Sequence, residues 1–311
     1  MAGHGNACGA PNAEAAEPKG SQASGKSPGG WRDAPLAPGL YVTATPIGNA
    51  RDITLRALDV LNGCDLIAAE DTRVTAKLLA IHGVRKTLTA YNDHNAARER
   101  PRLLTRLKHG ARVALVSDAG TPLVSDPGYK LVREAVAEGI AVHAIPGPSA
   151  ALAALALAGL PSDRFLFAGF LPPKSGERRS VLGELKGVRA TLILFEAPQR
   201  LADSLADMAE VLGNRPIAVT RELTKLHEEV RRGLLSDLAQ RYAQEAAPRG
   251  EVTVLVGPAR DEEPDFARID GLLDQALPFM PLRAAADLIA SALDAPRRAV
   301  YERALERKRS G

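Results

Sequence analysis

The chain has 311 residues, 45% of them hydrophobic, and carries 40 lysines and arginines against 37 aspartates and glutamates. That is length for two domains with real cores, and the charge balance by itself points to no class of partner. The longest apolar run, Ser149 to Leu160, is short of the roughly 20 residues a bilayer span needs, and Cys8 and Cys64 have neither disulfide nor metal-ligand spacing, so a membrane protein, a disulfide scaffold and a zinc site are excluded.

A soluble protein of a reducing cytoplasm, with no metal and no signal peptide, is therefore expected. Aromatic residues are only 4% of the chain, so its cores must rest on Ala, Leu and Val. Positive charge is concentrated rather than spread. Arg98 to Lys108 holds five basic residues and one acid, and Pro296 to Gly311 holds six and two.

Residues Met1 to Gly39 are rich in Gly, Ala, Pro and Ser without periodicity and read as a disordered tail. Gly20 to Ser27 within it matches the phosphate-loop pattern G-x-x-x-x-G-K-[ST]. That loop needs a buried strand before it and a helix after it, and here Ala, Glu and Pro precede while Pro28-Gly-Gly-Trp follows, so no nucleotide site is expected.

Strand and helix then alternate. Leu40 to Thr45 is a strand ending at Pro46-Ile47-Gly48-Asn49, and Asp52 can cap a helix reaching Asn62. Asp65 to Ala69 is a strand ending at Glu70-Asp71-Thr72-Arg73, followed by a helix over Ala76 to His82. Thr87 to Tyr91 is a strand ending at Asn92-Asp93-His94-Asn95, followed by a basic helix to Lys108. The alternation predicts a parallel sheet with its polar strand ends on one edge.

The central stretch is Arg112 to Gly128. Val113 to Val116 reads as a strand buried on both faces, and Ser117-Asp118-Ala-Gly120-Thr121-Pro122 as the turn at its carboxyl end. Asp126 and Pro127 would open a helix over Tyr129 to Glu138. Ile140 to Ile145 repeats the pattern, with Pro146-Gly-Pro148 as a stiff turn and Ser149 capping a small-residue helix from Ala150 to Leu160. Two tight turns on neighbouring strand ends, each followed by a slim helix, favour a pocket where open parallel sheets bind ligands.

A boundary falls near Leu160 to Asp163. Strands are expected over Phe165–Phe170, Ala190–Phe195, Ile217–Thr220 and Val252–Val256, with helices over Leu201–Leu212 and Leu234–Ala247. Leu171 to Arg179 reads as a basic loop, and Arg221 to Arg232 as a charged connection. The tail from Pro264 is helical, and Leu282–Leu293 with Arg297–Arg307 has helix-turn-helix spacing, although a plain helical hairpin is the commoner outcome. The fold class is α/β: a tail over 1–39, two α/β domains over 40–160 and 161–260, and a helical segment over 261–311.

Eight motifs occur in order: Tyr41 to Asn49, Ala69 to Arg73, His94-Asn95, Ser117 to Pro122, Ser125 to Gly128, Ile145 to Ser149, Phe167 to Pro172 and Glu196 to Arg200. Together they resemble the ribosomal RNA small subunit methyltransferase I family of the tetrapyrrole methylase-like, class III methyltransferases. The resemblance covers about Leu40 to Gly257. It implies two α/β domains of the tetrapyrrole methylase type, S-adenosylmethionine bound in the cleft between them, a homodimer, and 2′-O-methylation of cytidine 1402 in 16S rRNA within the 30S subunit.

The chemistry of those residues is compatible with that expectation. Pro46, Ile47, Ser117, Asp118, Gly120, Thr121, Pro148, Ser149, Ala150, Leu171, Ala197 and Glu251 could cradle the cofactor through backbone and carboxylate. Glu70, Asp71, Asp93, His94 and Glu196 are candidate bases for the ribose hydroxyl, and cap or ion-pair roles are the alternative for Asp71 and Glu196. Arg73, Lys174, Arg178, Arg179 and Arg200 could hold RNA phosphates. A tetrapyrrole C-methyltransferase of the same superfamily is the nearest alternative, with Glu70 to Arg73 and Phe170 to Lys174 counting against it. A non-enzymatic nucleic-acid binder using the C-terminal helices is another, but it leaves the paired Gly/Pro loops without a purpose.

Overall fold

The structure, a computed structural model, describes residues 36–123, 128–259, 266–293 and 295–310. The phosphate-loop match and nearly all of the expected disordered tail lie outside the described residues, as do the expected helix-opening residues Asp126 and Pro127.

The first sheet is built from β1 (Gly39–Thr43), β2 (Leu66–Ala69), β3 (Leu88–Ala90), β4 (Arg112–Val116) and β5 (Val142–Ile145). All its pairings are parallel, in the order β3-β2-β4-β1-β5. Side-chain alternation divides the strands between two cores. Leu40, Leu66, Ala68, Val113 and Leu115 pack on one face, and Tyr41, Ile67, Ala69, Ala114 and Val116 on the other.

The crossovers are α1 (Leu55–Gly63), α2 (Thr72–Ile81), α3 (Ala96–Lys108) and α4 (Tyr129–Ala137), with α5 (Ala150–Ala158) following β5. Two of these starts correct the sequence expectations. Thr54, not Asp52, caps α1, its hydroxyl accepting from Ala57 N. The second helix begins at Thr72 rather than Ala76, because Asp71 accepts from Arg73 N at 2.8 Å and nucleates it earlier. Gly128, at φ +132, is the cap residue of α4.

The second sheet comprises β6 (Phe165–Phe170), β7 (Thr191–Glu196), β8 (Pro216–Arg221), β9 (Glu229–Leu234) and β10 (Val252–Val256) in the order β6-β7-β10-β8-β9. Only β6 and β7 run parallel; the other pairs are antiparallel. Strand β9 begins inside the segment read as a charged connection and runs on to Leu234, where a helix was expected to start. Its charges are tolerated because it is an edge strand, where Arg231 pairs with Glu229 at 2.6 Å and Glu245 at 2.5 Å.

One face of this sheet buries Leu192, Leu194, Val219 and Val254 under α6 (Ser175–Leu185), α7 (Leu201–Leu212) and α8 (Leu235–Gln244). Its other face, with Ile193, Ala218 and Leu255, is covered by Ala151, Ala154 and Ala158 of α5. The small-residue helix that closes the first half thus seals the second sheet. Its lack of side-chain bulk lets it approach closely. A separate core of Ile269, Leu273, Ala285, Ile289, Val300 and Ala304 joins α9 (Phe266–Ala276), α10 (Leu282–Ala292) and α11 (Arg297–Ser310). The tail is a three-helix unit rather than a two-helix hairpin.

Candidate active site

The carboxyl ends of β1, β4 and β5 are tied into one rigid wall. Thr45 and Gly120 exchange backbone hydrogen bonds of 2.9 and 3.0 Å, and Thr45 Oγ1 donates to Ser117 O at 3.1 Å. Thr121 Oγ1 donates to Pro148 O at 3.1 Å, joining the two turns. Gly120 stands at φ +80, and a Cβ there would meet Ile47 Cγ2 at 3.3 Å. Glycine is therefore needed twice over, for its backbone and for the space in front of it.

A cavity of about 330 Å³ opens before this wall and reaches across to the ends of β7 and β10. Of the expected cofactor residues, Ile47, Gly120, Thr121, Ser149, Ala150, Ala197 and Glu251 line it. Ser117 and Pro148 brace it from behind, through the bonds just described. Pro46 and Leu171 do not line it, and Leu171 is buried in the core beneath α6 and α7. Asp118 stands exposed beside Ala119 at its rim.

Sequence reasoning missed the apolar wall opposite. Phe170 and Phe195 line the cavity and meet edge to face at 5.5 Å, with Phe167 against Phe195 at 4.9 Å. The signal was available: four of only six phenylalanines, Phe165, Phe167, Phe170 and Phe195, fall in two adjacent strands. The volume, the apolar wall and the backbone-lined polar wall fit a nucleoside-bearing cofactor of drug-like size.

Beside the cavity, the ends of β2 and β4 bring acids together. Asp118 N donates to Glu70 Oε2 at 3.3 Å, and Asp71 N donates to Asp118 Oδ1 at 2.9 Å. Burial, then the charges of Asp118, Asp93 and Asp71, push the Glu70 carboxyl above its ordinary value, although the Asp118 N–H acts the other way. Asp118, although exposed at the rim, is also raised, chiefly by partial desolvation of its carboxyl. Asp71 goes the opposite way, to about 2, because it holds the Arg73 guanidinium and caps α2. It is occupied with capping and is a poor base. His94 is exposed on the loop after β3, where Asn92 and Asn95 hold the backbone.

Four further expectations change in the structure. Glu196 is buried with every oxygen engaged: Oε1 accepts from Ala197 N at 2.7 Å and from Arg200 at 2.5 Å, and Oε2 accepts from Ser204 Oγ at 2.5 Å. It lines the cavity, and these bonds make it a clamp on the start of α7. Arg200, its partner, also reaches Leu171 O at 3.5 Å, so its guanidinium is engaged within the protein. The segment Leu171 to Arg179 is not a loop throughout but enters α6 at Ser175. Arg178, at 4% exposure, is buried against Asp207 at 2.6 Å and Pro173 O, inaccessible to RNA. Arg73 and Lys174 keep side-chain exposures of 85% and 79%, and Arg179 is half-exposed beside Glu210.

The chain matches the family Tetrapyrrole (Corrin/Porphyrin) Methylases over residues 39–239, and the RsmI C-terminal HTH domain over residues 263–308. The second match favours helix-turn-helix over a plain hairpin for the tail. Ribosomal RNA small subunit methyltransferase I of Mesorhizobium japonicum is 54% identical over 275 residues, 88% of this chain and 94% of that protein. The protein of the same name from Escherichia coli O157:H7 is 45% identical over 273 residues, 86% and 95% of the two chains. Among solved structures, uroporphyrin-III-C-methyltransferase from Thermus thermophilus is similar at 24% identity and TM-score 0.50, covering 70% of this chain and 93% of that one. Diphthine synthase is similar at 17% identity and TM-score 0.52, covering 70% and 89%. These two likenesses bear on the fold alone.

Proposed function

The chain belongs to the ribosomal RNA small subunit methyltransferase I family, within the tetrapyrrole methylases, and from that premise we propose that it moves a methyl group from S-adenosylmethionine to the ribose 2′-hydroxyl of cytidine 1402 in 16S rRNA. It is a methyltransferase of small-subunit ribosomal RNA. The observation that supports the finer reading is the contact between Asp118 N and Glu70 Oε2. It sets a carboxylate of raised pKa beside the turn that lines the cavity.

S-adenosylmethionine supplies an electrophilic methyl group on a sulfonium centre. Gly120, Thr121, Ser149 and Ala150 would hold it on the polar wall, Phe170 and Phe195 on the apolar wall, and Ala197 and Glu251 at the far end. Glu70 is the general base, taking the hydroxyl proton onto its carboxylate. A base of this kind contributes about 10²–10⁴-fold, and alignment of the hydroxyl supplies much of the remainder. Arg73, Lys174 and Arg179 guide the phosphates from exposed helix starts.

The same proposal takes the domains as 40–160 and 161–260 with a helical unit over 261–311, the protein as a cytoplasmic homodimer, and the substrate as the 30S subunit. No helix among the described residues is long and apolar enough to cross a membrane. The test is transfer of labelled methyl to 30S subunits from cells lacking the endogenous activity, with nuclease mapping of the product and Glu70→Gln alongside. Label in a 2′-O-methylcytidine, lost in the variant, is the expected result. Cofactor binding without RNA labelling would overturn the substrate.

A further inference from the structure

Between β8 and β9 the chain makes two successive turns. Lys225 N donates to Glu222 O at 3.0 Å, and Glu228 N donates to Lys225 O at 3.1 Å. Glu222 and Thr224 hold positive φ values of 51 and 65, a conformation that costs a non-glycine residue about 1 kcal/mol or more. Strain of that kind persists only where the surroundings over-determine it. Here they do.

Thr224 Oγ1 accepts from Asn49 N at 3.2 Å, and Thr224 N donates to Glu228 Oε2 at 2.7 Å. Lys225 Nζ bridges Glu222 at 2.9 Å and Glu251 at 3.0 Å, and its stem lies so close over Gly48 that a Cβ there would be 2.5 Å from Lys225 Cγ. Burial works against the Lys225 charge, but the two carboxylates outweigh it and hold the ammonium above its ordinary value. The double turn is thus strapped to the loops carrying Ile47 on one side and Glu251 on the other, two residues of the cavity wall.

The two leucines of this strap have opposite fates. Leu223, 7% exposed, plugs the core formed with α5, Ile47 and Leu255. Leu226, three residues on and central in the second turn, is 93% exposed, the most exposed large apolar residue among the described residues. A side chain of this kind on a slack loop would carry little meaning. On a strained and doubly anchored one beside the cavity, it is a fixed apolar point.

Resting on the reading of the cavity as an RNA ribose methylation site, we infer that Leu226 is a wedge that enters the base stack next to the target nucleotide. A ribose hydroxyl within a stacked strand cannot reach a recessed cavity, so the nucleotide must be drawn out, and an apolar side chain can fill the space it leaves. The strap supplies the rigidity that such insertion needs.

The test uses an RNA hairpin spanning the target cytidine, with 2-aminopurine beside it, and the full protein loaded with S-adenosylhomocysteine. The unsubstituted protein should raise 2-aminopurine fluorescence on binding. Leu226→Ser should abolish the rise and Leu226→Phe should keep it. Methyl transfer by Leu226→Ser should fall at least about fivefold in kcat/KM on the paired hairpin, the low end of what base stacking on a side chain contributes, and less than about twofold on an RNA whose target is already unpaired. Equal losses on both RNAs, an unchanged fluorescence rise, or a change in sedimentation of the Ser variant that puts Leu226 in a subunit interface would overturn the wedge. No transfer by the unsubstituted protein to 30S subunits assayed alongside would overturn the rRNA reading itself, and the wedge with it.

Discussion

The backbone N–H of Asp118 donates to Glu70 Oε2 at 3.3 Å, so a residue of the turn after β4 orients the acid that follows β2. The contact leaves Glu70 partly buried among three other carboxylates with only that single backbone donor to offset them. A carboxylate in that position is a stronger base than one in water, and it charges later as pH rises.

Replacing Glu70 by Gln should therefore lower kcat by about 10²–10⁴-fold while leaving S-adenosylmethionine affinity within about twofold. In the unsubstituted enzyme, activity should fall as pH drops through a midpoint above the ordinary glutamate value, and Gln should remove that limb. The sign for stability is opposite to the usual carboxylate case. A raised folded-state pKa means that stability is lost as pH rises through the shifted value, so Glu70→Gln should be no less stable than wild type at neutral pH. A pH–rate profile with denaturant melts checks both.

Gly120→Val should close the polar wall. The variant forces a β-branched residue to φ +80 and drives its Cβ to 3.3 Å from Ile47 Cγ2. Titration calorimetry should show S-adenosylmethionine binding weakened by about tenfold or more, which is roughly 1.4 kcal/mol, with a backbone penalty of about 1–2 kcal/mol in stability.

Glu196→Gln separates a clamp from a base. Removing the charge leaves Arg200 facing a neutral amide in a largely buried setting, a loss of about 2–3 kcal/mol after allowing for the partial exposure of Arg200. The residual activity should keep the wild-type pH profile. A profile that loses its acidic limb in this variant would return Glu196 to the candidates for the base.

Lys174 and Arg178, one turn apart in the sequence, should now part company. Arg178→Ala strands Asp207 and should destabilise the protein by about 3–5 kcal/mol. Lys174→Ala and Arg73→Ala should change stability by less than about 0.5 kcal/mol and instead raise KM for RNA with a weaker salt dependence. Urea melts and filter binding at two salt concentrations distinguish them.

Asp65 and Arg112 fasten the start of β2 to the start of β4, with Asp65 also accepting from Arg112 N at 2.8 Å. These bonds hold the Asp65 carboxyl down to about 2. Its contribution is present above the ordinary aspartate value near 4 and is lost as pH falls toward 2. Both side chains are about a third or more exposed, so Asp65→Asn should cost only about 0.5–1 kcal/mol at pH 7. The gap between the two proteins should narrow steadily in melts run from pH 6 to pH 3.

The alternation of buried apolar strands with Gly, Pro and Asp at their ends was legible from residue order, because a parallel strand buried on both faces must be a short apolar run and its turn must be polar. That pattern alone determined the first sheet, the edge on which its polar ends gather, and the turns at Gly120 and Ser149 that line the cavity. Only the tertiary structure decided which charged residues there are free to act. Arg178 and Asp207, or Arg221 and Glu229, find each other through the packing of helices and the pairing of strands, and no local spacing announces it. The same holds for α5, whose alanines read as a plain apolar helix after β5 but seal the second sheet. Strand β9 escaped notice for a related reason: on a sheet edge, backbone pairing stabilises a strand whose side chains carry none of the apolar alternation by which strands are recognised.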